Sequence, residues 1–399
     1  MLIGIVGKPS CGKSTFFKAA TLAEVEIANY PFTTIKPNRA VGFVRVEDPA
    51  RAFGKVSNPR TGFVAGPFRF VPVDLIDVAG LVPGAHQGEG MGLQFLNDLN
   101  QADALVHVVD ASGSTNEKGE FVGVGGYDPL EDVRFLDREL DFWFLSILKK
   151  GWEKFARSVQ QTRGDIVKAL AKQLSGVGVD EELVKEALET AALLTVPPLE
   201  WTEEALFGLA KFLRRKTKPM LIAANKADMP GALEQVERLR AAFPDVLIIP
   251  CSAESELALR EAAKQGLIEY IPGEREFVVK NEAGLSDRQR SALAFIREKV
   301  LGVLGSTGVQ DVLNQAVFTL LKRKAVFPGG VGKLEDSEGR VLPDCFLMEE
   351  GATALDFAYR LHSDFGNNFI KAINVRTKLP VGKDHVLENG DIIEIMARK

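Results

Sequence analysis

Short apolar runs separated by polar loops divide the chain into two strand–helix parts with a helical middle. Buried strands of a parallel sheet are continuous apolar runs, whereas amphipathic helices place apolar residues three or four positions apart. Six segments are predicted to be strands: residues 2–6, 39–46, 70–78, 104–109, 219–224 and 246–250. The pattern predicts an α/β fold with a mostly parallel sheet and helices on both faces.

Helical spacing dominates from Tyr127 to about Lys216. Asp128 followed by Pro129 predicts the first helix start, and Asp180 and Thr202 are predicted to cap two further helices. An apolar stripe continues the first of these helices: Val133, Leu136, Leu140, Phe144, Ile147 and Leu148. We interpret the stripe as core packing within an α-helical insertion.

The last part of the chain changes character again. Ser286 with Gln289, and Thr307 with Gln310, have the spacing of capping boxes that start helices leading to about Leu321. From Lys324 the pattern predicts strand, strand, helix, strand, strand, which is typical of an α+β module of the β-grasp kind.

Composition and charge exclude several classes of protein. The chain has 399 residues, 46% hydrophobic and 26% charged, with a net charge of -5, which argues against coating nucleic acid through overall charge. Cys11, Cys251 and Cys345 form no CxxC pair, so we expect a reducing compartment without disulfides or zinc. No apolar run approaches the roughly 20 residues of a membrane span, and no signal peptide is expected. A cytoplasmic location is predicted.

Residues 7–14, G-K-P-S-C-G-K-S, match the phosphate-loop pattern G-x-x-x-x-G-K-[ST] between a predicted strand and helix. Glycines let successive N–H groups wrap a polyphosphate, and the helix N-terminus adds partial positive charge. Lys13 is predicted to reach the β- and γ-phosphates, and the Ser14 hydroxyl to ligate Mg²⁺. The alternative is a glycine turn without a ligand. The predicted nucleotide contacts in this segment are Gly7, Lys8, Pro9, Ser10, Cys11, Gly12, Lys13, Ser14 and Thr15.

Two further loops carry candidate switch residues. Two prolines make residues 29–38 a loop, in which Thr33 or, preferably, Thr34 could supply a second hydroxyl to Mg²⁺. The predicted strand 70–78 leads into D-x-x-G, where Asp77 could hold Mg²⁺ through water and the Gly80 N–H could contact a γ-phosphate. The Gly- and Pro-rich stretch that follows suits a segment that orders with ligand.

The tetrapeptide N-K-A-D, residues 225–228, predicts which base is bound. The Asp228 carboxylate can accept hydrogen bonds from N1–H and the 2-amino group of guanine, a donor pair that adenine lacks. Lys226 is expected to pack its stem along the base, and Asn225 to brace the loops. Ser252 and Ala253 follow a strand and fit a backbone loop that contacts the guanine oxygen.

Together these motifs resemble the translation-factor-related GTPases of the Obg family, specifically the YchF branch. The segments that carry the resemblance are G-K-P-S-C-G-K-S, Y-P-F-T-T-I-K-P-N, D-V-A-G-L-V-P-G-A-H-Q-G-E-G-M-G and N-K-A-D. The helical insertion and a C-terminal segment that resembles a TGS domain extend it over nearly the whole chain. The resemblance implies a P-loop NTPase fold, GTPase activity without the usual catalytic glutamine, and association with ribosomes or RNA.

Three departures from related GTPases change the expectations. Leu81 stands where Ras-like GTPases have the water-orienting glutamine, so His86, Gln87 or Glu89 are candidates to replace it. Much of the YchF branch has Glu in place of Asp228 and has shifted toward ATP, so the intact N-K-A-D predicts GTP. Ser10 replaces an Asn that helps bind an activating K⁺ in relatives, which leaves K⁺ dependence open.

The resemblance and the patterns predict five segments: a G domain, first part, 1–112; the helical insertion, 113–216; the G domain, second part, 217–275; a helical connector, 276–322; and a TGS-like β-grasp domain, 323–399.

The leading hypothesis is a monomeric, Mg²⁺-dependent GTPase switch that turns over roughly 10⁻⁴ to 10⁻² times per second unaided. A second hypothesis is an RNA- or ribosome-binding scaffold tuned by nucleotide, and a third is an ATPase. Between Lys149 and Lys172 there are seven Lys or Arg and two acidic residues. This excess of positive charge indicates either a solvated helix face or an RNA-facing surface. The basic residues that follow are Lys211, Arg214, Arg215, Lys216 and Lys218. No DNA specificity and no membrane partner are evident.

Overall fold

A computed structural model describes residues 1–21, 38–78 and 98–398. Its strands are β1 (Leu2–Val6), β2 (Arg39–Glu47), β3 (Phe63–Ala65), β4 (Phe68–Asp77), β5 (Ala104–Asp110), β6 (Met220–Asn225), β7 (Ile248–Pro250), β8 (Ile268–Tyr270), β9 (Phe277–Val279), β10 (Lys324–Pro328), β11 (Phe346–Met348), β12 (Phe369–Asn374), β13 (Leu379–Val381) and β14 (Ile392–Ala397).

The helices are α1 (Lys13–Thr21), α2 (Pro129–Lys149), α3 (Trp152–Thr162), α4 (Ile166–Leu174), α5 (Glu181–Thr190), α6 (Glu203–Thr217), α7 (Ala232–Ala242), α8 (Ala253–Lys264), α9 (Asp287–Phe295), α10 (Gly302–Leu304), α11 (Val309–Asn314), α12 (Ala354–Leu361) and α13 (Ser363–Asn367). Short 3₁₀ turns cover Pro49–Phe53, Ser175–Val177 and Pro198–Glu200, and π-helical turns cover Ile296–Leu301 and Gln315–Leu320. Within the described ranges, no helix is both long enough and apolar enough to cross a bilayer.

The chain divides into two compact units, of which the first comprises Met1–Ser14 and Ile76–Cys251. Its strands follow the order β4-β1-β5-β6-β7, and β1, β5, β6 and β7 pair in parallel. Only the last residues of β4 belong to this unit, where the Val78 N–H donates to the Ile5 oxygen at 3.0 Å. Because parallel strands end at one edge, the loop after β1 and the ends of β5 and β6 lie together. The register confirms this, since Asp110 pairs with Asn225.

The predicted helical insertion is confirmed as α2 to α6, and it belongs to the first unit. Asp128, Asp180 and Thr202 accept hydrogen bonds from the first turns of α2, α5 and α6, as the sequence predicted. The apolar stripe of α2 is core: Leu140 and Phe144 have no exposed surface. Burial of this stripe fixes which face of α2 turns inward.

Two members of the basic group that follows residue 210 do not face solvent. Arg214 is 2% exposed and its Nε donates to Asp141 Oδ1 at 2.8 Å. Lys218 is 5% exposed and donates to the carbonyl oxygens of Asn100 and Ala102, both at 2.8 Å. The interpretation of these two residues as surface charges, whether solvated or facing RNA, is therefore wrong. Both side chains are instead bound by acceptors of other elements, as buried charges require.

The second unit comprises Thr15–Leu75 and Ser252–Lys399. In it β2 lies beside β4, and β3, which the sequence did not predict, pairs antiparallel with β4 through Phe63 and Phe70. The predicted β-grasp module is a five-stranded sheet of order β11-β10-β14-β12-β13. The fully buried Ala354 and Phe357 pack α12 into its core. One short helix, α13, and one additional strand exceed the predicted pattern.

One of the two predicted capping boxes is correct. Ser286 and Gln289 form a complete box at the start of α9. The box of Thr307 and Gln310 is wrong, because α11 begins after Gly308, whose φ is 80°, and no side chain caps it. The Thr307 hydroxyl is buried and instead donates to Glu256 Oε2 at 2.5 Å. The Thr307 hydroxyl thus bonds to a buried carboxylate, whereas the local pattern predicted that it would accept from a main-chain N–H of the helix.

Candidate nucleotide-binding site

The phosphate-loop motif folds as a tight turn between β1 and α1, which begins at Lys13. An added Cβ at Gly7 would lie 2.6 Å from the Val108 oxygen. Gly12 has a φ of +91°, and an added Cβ there would lie 2.2 Å from Asn225 Nδ2. Close backbone approach is therefore the reason for glycine at Gly7, and close approach together with positive φ is the reason at Gly12.

Lys13 and Asp77 come together although 64 positions separate them. The Lys13 ammonium forms an ion pair with the carboxylate of Asp77 at the end of β4. Both side chains are partly exposed. This contact places the lysine of the phosphate loop beside the aspartate of D-x-x-G. Their roles toward phosphate and Mg²⁺ stay predictions.

The N-K-A-D segment contacts the phosphate loop through two side chains. Asn225 Nδ2 donates to the main-chain oxygen of Cys11 at 3.0 Å. Lys226, whose φ is +60°, donates to the main-chain oxygen of Ser10 at 3.1 Å. The Ala227 N–H donates to the Cys251 oxygen at 3.0 Å and fixes the segment before the partly exposed Asp228. Guanine recognition by Asp228 stays a prediction.

Asp110, at the end of β5, is a central residue that the sequence analysis missed. Its carboxylate accepts hydrogen bonds from Lys226 Nζ at 2.8 Å, Ser112 Oγ at 2.5 Å, and Ser114 Oγ and Thr115 Oγ1 at 2.8 Å. Burial alone would raise the pKa of Asp110, but these hydrogen bonds outweigh it and lower the pKa. The available sequence signal was an aspartate at a strand end in the sequence D-A-S-G-S-T, residues 110–115.

The Lys8 side chain is buried and is not free to contact a phosphate. It is 7% exposed, and its Nζ lies 2.8 Å from Asp132 Oδ2 and donates to the Thr115 oxygen at 2.7 Å. The same ammonium lies 4.0 Å from the centroid of the Tyr127 ring. The side chain is thus bound by protein groups. A phosphate contact by Lys8 can come only from its main-chain N–H, and that contact stays a prediction.

The buried groups beneath the loop are held neutral or unreactive. Burial raises the pKa of the Cys11 thiol to about 11 and raises that of Cys251 further, so neither is a thiolate at neutral pH. His107 is buried, and its Nδ1 has no hydrogen-bond partner among the described residues. Burial, and secondarily the Lys8 charge, lower the pKa of His107 to about 3 and keep it neutral.

The Ser252–Ala253 segment belongs to the second unit. Ser252 caps α8, its hydroxyl accepting from the Ser255 N–H, and its own N–H donates to the Thr307 oxygen at 2.9 Å. Ala253 begins α8 and is fully buried. A base contact by these two residues stays a prediction.

Several predicted site residues lie outside the described ranges: Thr33, Thr34, Gly80, Leu81, His86, Gln87 and Glu89. Pro9, Ser14 and Thr15 lie where the loop and the first turn of α1 were predicted. The described part of the chain therefore joins the phosphate loop, Asp77 and the N-K-A-D segment, through contacts made by Lys13, Asn225 and Lys226.

Comparison with protein families gives three matches along the chain. Residues 2–132 match the family described as 50S ribosome-binding GTPase. Residues 223–330 match the G4 motif-containing domain of YGR210-like Obg-like GTPases, and residues 337–397 match the TGS domain. The first two matches contain the phosphate loop and N-K-A-D, respectively, and the third contains most of the five-stranded sheet.

Individual relatives match over nearly the full length. An uncharacterized GTP-binding protein of Methanocaldococcus jannaschii is 47% identical, over 99% of both chains. The ribosome-binding ATPase YchF of Bacillus subtilis is 29% identical, over 98% of this chain and 97% of the relative. The crystal structure of a GTP binding protein from Pyrococcus horikoshii has a TM-score of 0.79 and 40% identity, with 100% of both chains covered. A Schizosaccharomyces pombe YchF GTPase shares the fold, with a TM-score of 0.61, 19% identity, and 99% and 97% coverage.

Proposed function

Because the chain belongs to the YchF-like branch of the Obg GTPase family, we propose that it binds GTP and hydrolyses it slowly to GDP and phosphate. The observation that carries this proposal is the contact between the two motifs. Asn225 and Lys226 hydrogen-bond to the main chain of Cys11 and Ser10, so the base motif and the phosphate loop are held at one sheet edge. One nucleotide can then engage both.

Guanine is the proposed base. Asp228 can accept from N1–H and the 2-amino group, whereas adenine would leave the carboxylate without that donor pair. The M. jannaschii relative at 47% identity is named a GTP-binding protein, which supports the choice. The B. subtilis relative at 29% identity is named an ATPase, which makes ATP the alternative to test.

Mg²⁺ is the proposed metal, held by Ser14 and Asp77 together with Thr34. Hydroxyl and carboxylate oxygens are the hard donors that Mg²⁺ prefers, and such sites need few protein ligands because the phosphates supply others. Bound Mg²⁺ would neutralise charge on the β- and γ-phosphate oxygens.

The proposed switch uses residues of the two loops after α1 and β4. Lys13 would bind the phosphates, the Gly80 N–H would contact the γ-phosphate, and Thr34 would supply a hydroxyl to Mg²⁺ when GTP is bound. His86 is proposed to orient water because Leu81 has no hydrogen-bonding group. Hydrolysis without a glutamine should be slow, roughly 10⁻⁴ to 10⁻² s⁻¹.

A nucleotide titration tests the proposed ligand. Calorimetry with Mg²⁺ should show GTP and GDP binding at least 100-fold tighter than ATP and ADP, and repeating it in K⁺ and Na⁺ decides the K⁺ dependence. Asp228→Asn should shift preference toward xanthosine triphosphate, because the Asn amide can donate to the 2-oxo group. Micromolar ATP binding without GTP binding would refute the base assignment. Unchanged GTP affinity in Lys13→Ala would refute the role of Lys13.

The ribosome is the proposed partner, and the cytoplasm the proposed location, of a monomeric chain. Support comes from the ribosome-binding names of the YchF relatives and from the match of residues 2–132. Sedimentation with ribosomes should depend on a non-hydrolysable GTP analogue if the protein is a switch. Equal sedimentation with and without nucleotide would favour a scaffold instead.

A further inference from the structure

The segment of residues 110–132, which joins β5 to α2, lies directly against the phosphate loop. We define these residues as the loop brace. The brace is ordered by its own hydrogen bonds, from the Val122 N–H to Ser114, from the Gly125 N–H to Ser112, and from the Tyr127 N–H to Gly113, all at 2.8–3.0 Å. Such a self-bonded segment can act as a rigid support.

Three contacts attach the brace to consecutive residues of the phosphate loop. The Lys8 ammonium is enclosed by Asp132, the Thr115 oxygen and the Tyr127 ring. Gly119 approaches Pro9 so closely that an added Cβ would lie 2.7–2.9 Å from three of its atoms.

The third contact runs through Lys226, which donates to the Ser10 oxygen and to Asp110 and Ser114 of the brace, at 2.8–3.2 Å. The main chain of residues 8 to 10 is thereby fixed from the side of the brace.

We propose that the brace presets the phosphate loop for nucleotide, and that the side chains of Lys8 and Asp132 position the loop rather than bind phosphate. This inference rests on the proposed function, because it concerns the affinity of the same site. Main-chain N–H groups bind phosphate only when they point inward together. A buried ion pair at Lys8 holds this arrangement, since an unpaired ammonium would leave the interior and take the loop with it.

Electrostatics and positioning predict opposite results for Asp132→Asn. If Lys8 acts through its charge, removing the opposing carboxylate leaves more positive charge beside the phosphates, and GDP should bind more tightly. If Asp132 positions Lys8, the loop relaxes and GDP should bind more weakly. A loop that is competent only about a tenth of the time binds about tenfold more weakly.

The first experiment measures GDP affinity by calorimetry with Mg²⁺ in full-length Asp132→Asn, Lys8→Met and the double variant. We expect about tenfold weaker binding in each, with the double variant no worse than the singles, because all three break one contact. Glu131→Gln is the matched control, since Glu131 is exposed and forms its ion pair with Arg134, at 2.7 Å, away from Lys8. Equal or tighter GDP binding by Asp132→Asn would overturn the proposal.

A second pair of variants avoids the buried charges altogether. Gly119→Ala should drive the brace from Pro9 and weaken GDP binding. Gly123→Ala is its control, because Gly123 has a similar φ, +88° against +80°, but open space around an added Cβ. Equal GDP affinities of these two variants would contradict the proposed contact.

Hydrogen exchange in the nucleotide-free protein separates failure of this inference from failure of the proposed function. Peptides covering residues 7–14 should exchange faster in Asp132→Asn and Gly119→Ala than in their controls, while peptides from α6 should not change. If wild-type protein binds neither GTP nor GDP, the proposed function fails but the exchange result still decides whether the brace orders the loop. Unchanged exchange in residues 7–14 would refute the brace.

Discussion

The side-chain amide of Asn225 donates a hydrogen bond to the main-chain oxygen of Cys11 at 3.0 Å, across 214 positions of sequence. The contact joins the end of β6 to the loop after β1, which are separated in the sheet by β5. A side chain that binds a loop carbonyl fixes the loop without occupying the inward-facing N–H groups. The base motif thus also serves as a support for the phosphate loop.

Gly12→Ala tests how closely these two motifs are packed. The methyl group would lie 2.2 Å from Asn225 Nδ2, and alanine would have to adopt a φ of +91°. Strain of this kind costs roughly 1–3 kcal/mol, so we expect GDP affinity to fall between about 5-fold and 150-fold. Calorimetry provides the measurement.

Gly208→Ala is the control for Gly12→Ala. Gly208 lies within α6, and nothing lies within 4 Å of an added Cβ. Alanine there should raise the free energy of unfolding by about 1 kcal/mol through helix propensity and leave GDP affinity unchanged. Wild-type affinity in Gly12→Ala would show that the loop can retreat from Asn225.

Local patterns were sufficient to predict the elements that present this site. The glycine spacing of residues 7–14 and the apolar runs on either side specify strand, loop and helix, and the helical insertion follows from the stripe that begins at Val133. These predictions succeed because each depends on backbone geometry within one short segment. β3 was missed because three residues carry too little pattern to indicate a strand.

Long-range partners could not be predicted in the same way. Lys8 and Asp132 have no spacing that relates them, nor have Asp110 and Lys226, and only the fold brings each pair together. Arg214 and Lys218 were grouped with surface charges because composition does not reveal a carboxylate or carbonyl buried on another element. Buried polar groups are satisfied by whatever the tertiary structure offers, so their roles depend on it.

The stability of the protein should carry a pH dependence that belongs to Asp132. Burial raises its pKa from 3.8 to about 6, against the opposing influence of Lys8 and Tyr127, with Asp110 adding a like charge. Between about pH 4 and 6 the folded chain then binds more protons at this group than the unfolded chain. This contribution to the free energy of unfolding therefore falls as the pH rises through the window, by up to about 1.4 kcal/mol per pH unit.

Urea unfolding of nucleotide-free wild type and Asp132→Asn at intervals from pH 4.5 to 6.5 isolates this effect. Other carboxylates titrate in both proteins, so the difference between the two curves reports Asp132. We expect the wild type to lose stability relative to the variant as the pH rises. If the unfolding free energies of the two proteins changed in parallel with pH, the Asp132 carboxyl would have the same pKa in the folded and the unfolded chain, which would contradict the prediction.

Arg214 and Arg215 are adjacent arginines that should respond very differently to substitution. Arg214 is 2% exposed and bonds to Asp137 and Asp141, whereas the side chain of Arg215 is 56% exposed and lies 3.2 Å from Asp137. Arg214→Met leaves the buried Asp141 carboxylate without its partner and should cost about 3–5 kcal/mol. Arg215→Met should cost less than about 1 kcal/mol. The free energies of urea unfolding provide the comparison.

The double variant Arg214→Met/Asp141→Leu distinguishes a lost attraction from an unpaired charge. If the cost of Arg214→Met is mainly the unpaired carboxylate, removing Asp141 as well should restore most of the stability. If the double variant were no more stable than Arg214→Met, the lost unfolding free energy would come from packing around the guanidinium instead.

Thr307 links a buried carboxylate to the segment that begins α8. Its hydroxyl donates to Glu256 Oε2 at 2.5 Å, and its carbonyl accepts from the Ser252 N–H at 2.9 Å. Glu256 has no exposed surface and also accepts from Arg260 and Tyr270. Thr307→Val preserves the shape but removes one donor to a charged group, which should cost about 1.5–3 kcal/mol of unfolding free energy. Thr307→Ser keeps the hydroxyl and should recover at least half of that cost. Urea unfolding of both variants provides the comparison. Equal losses of unfolding free energy would show that the methyl group matters, and not the hydrogen bond.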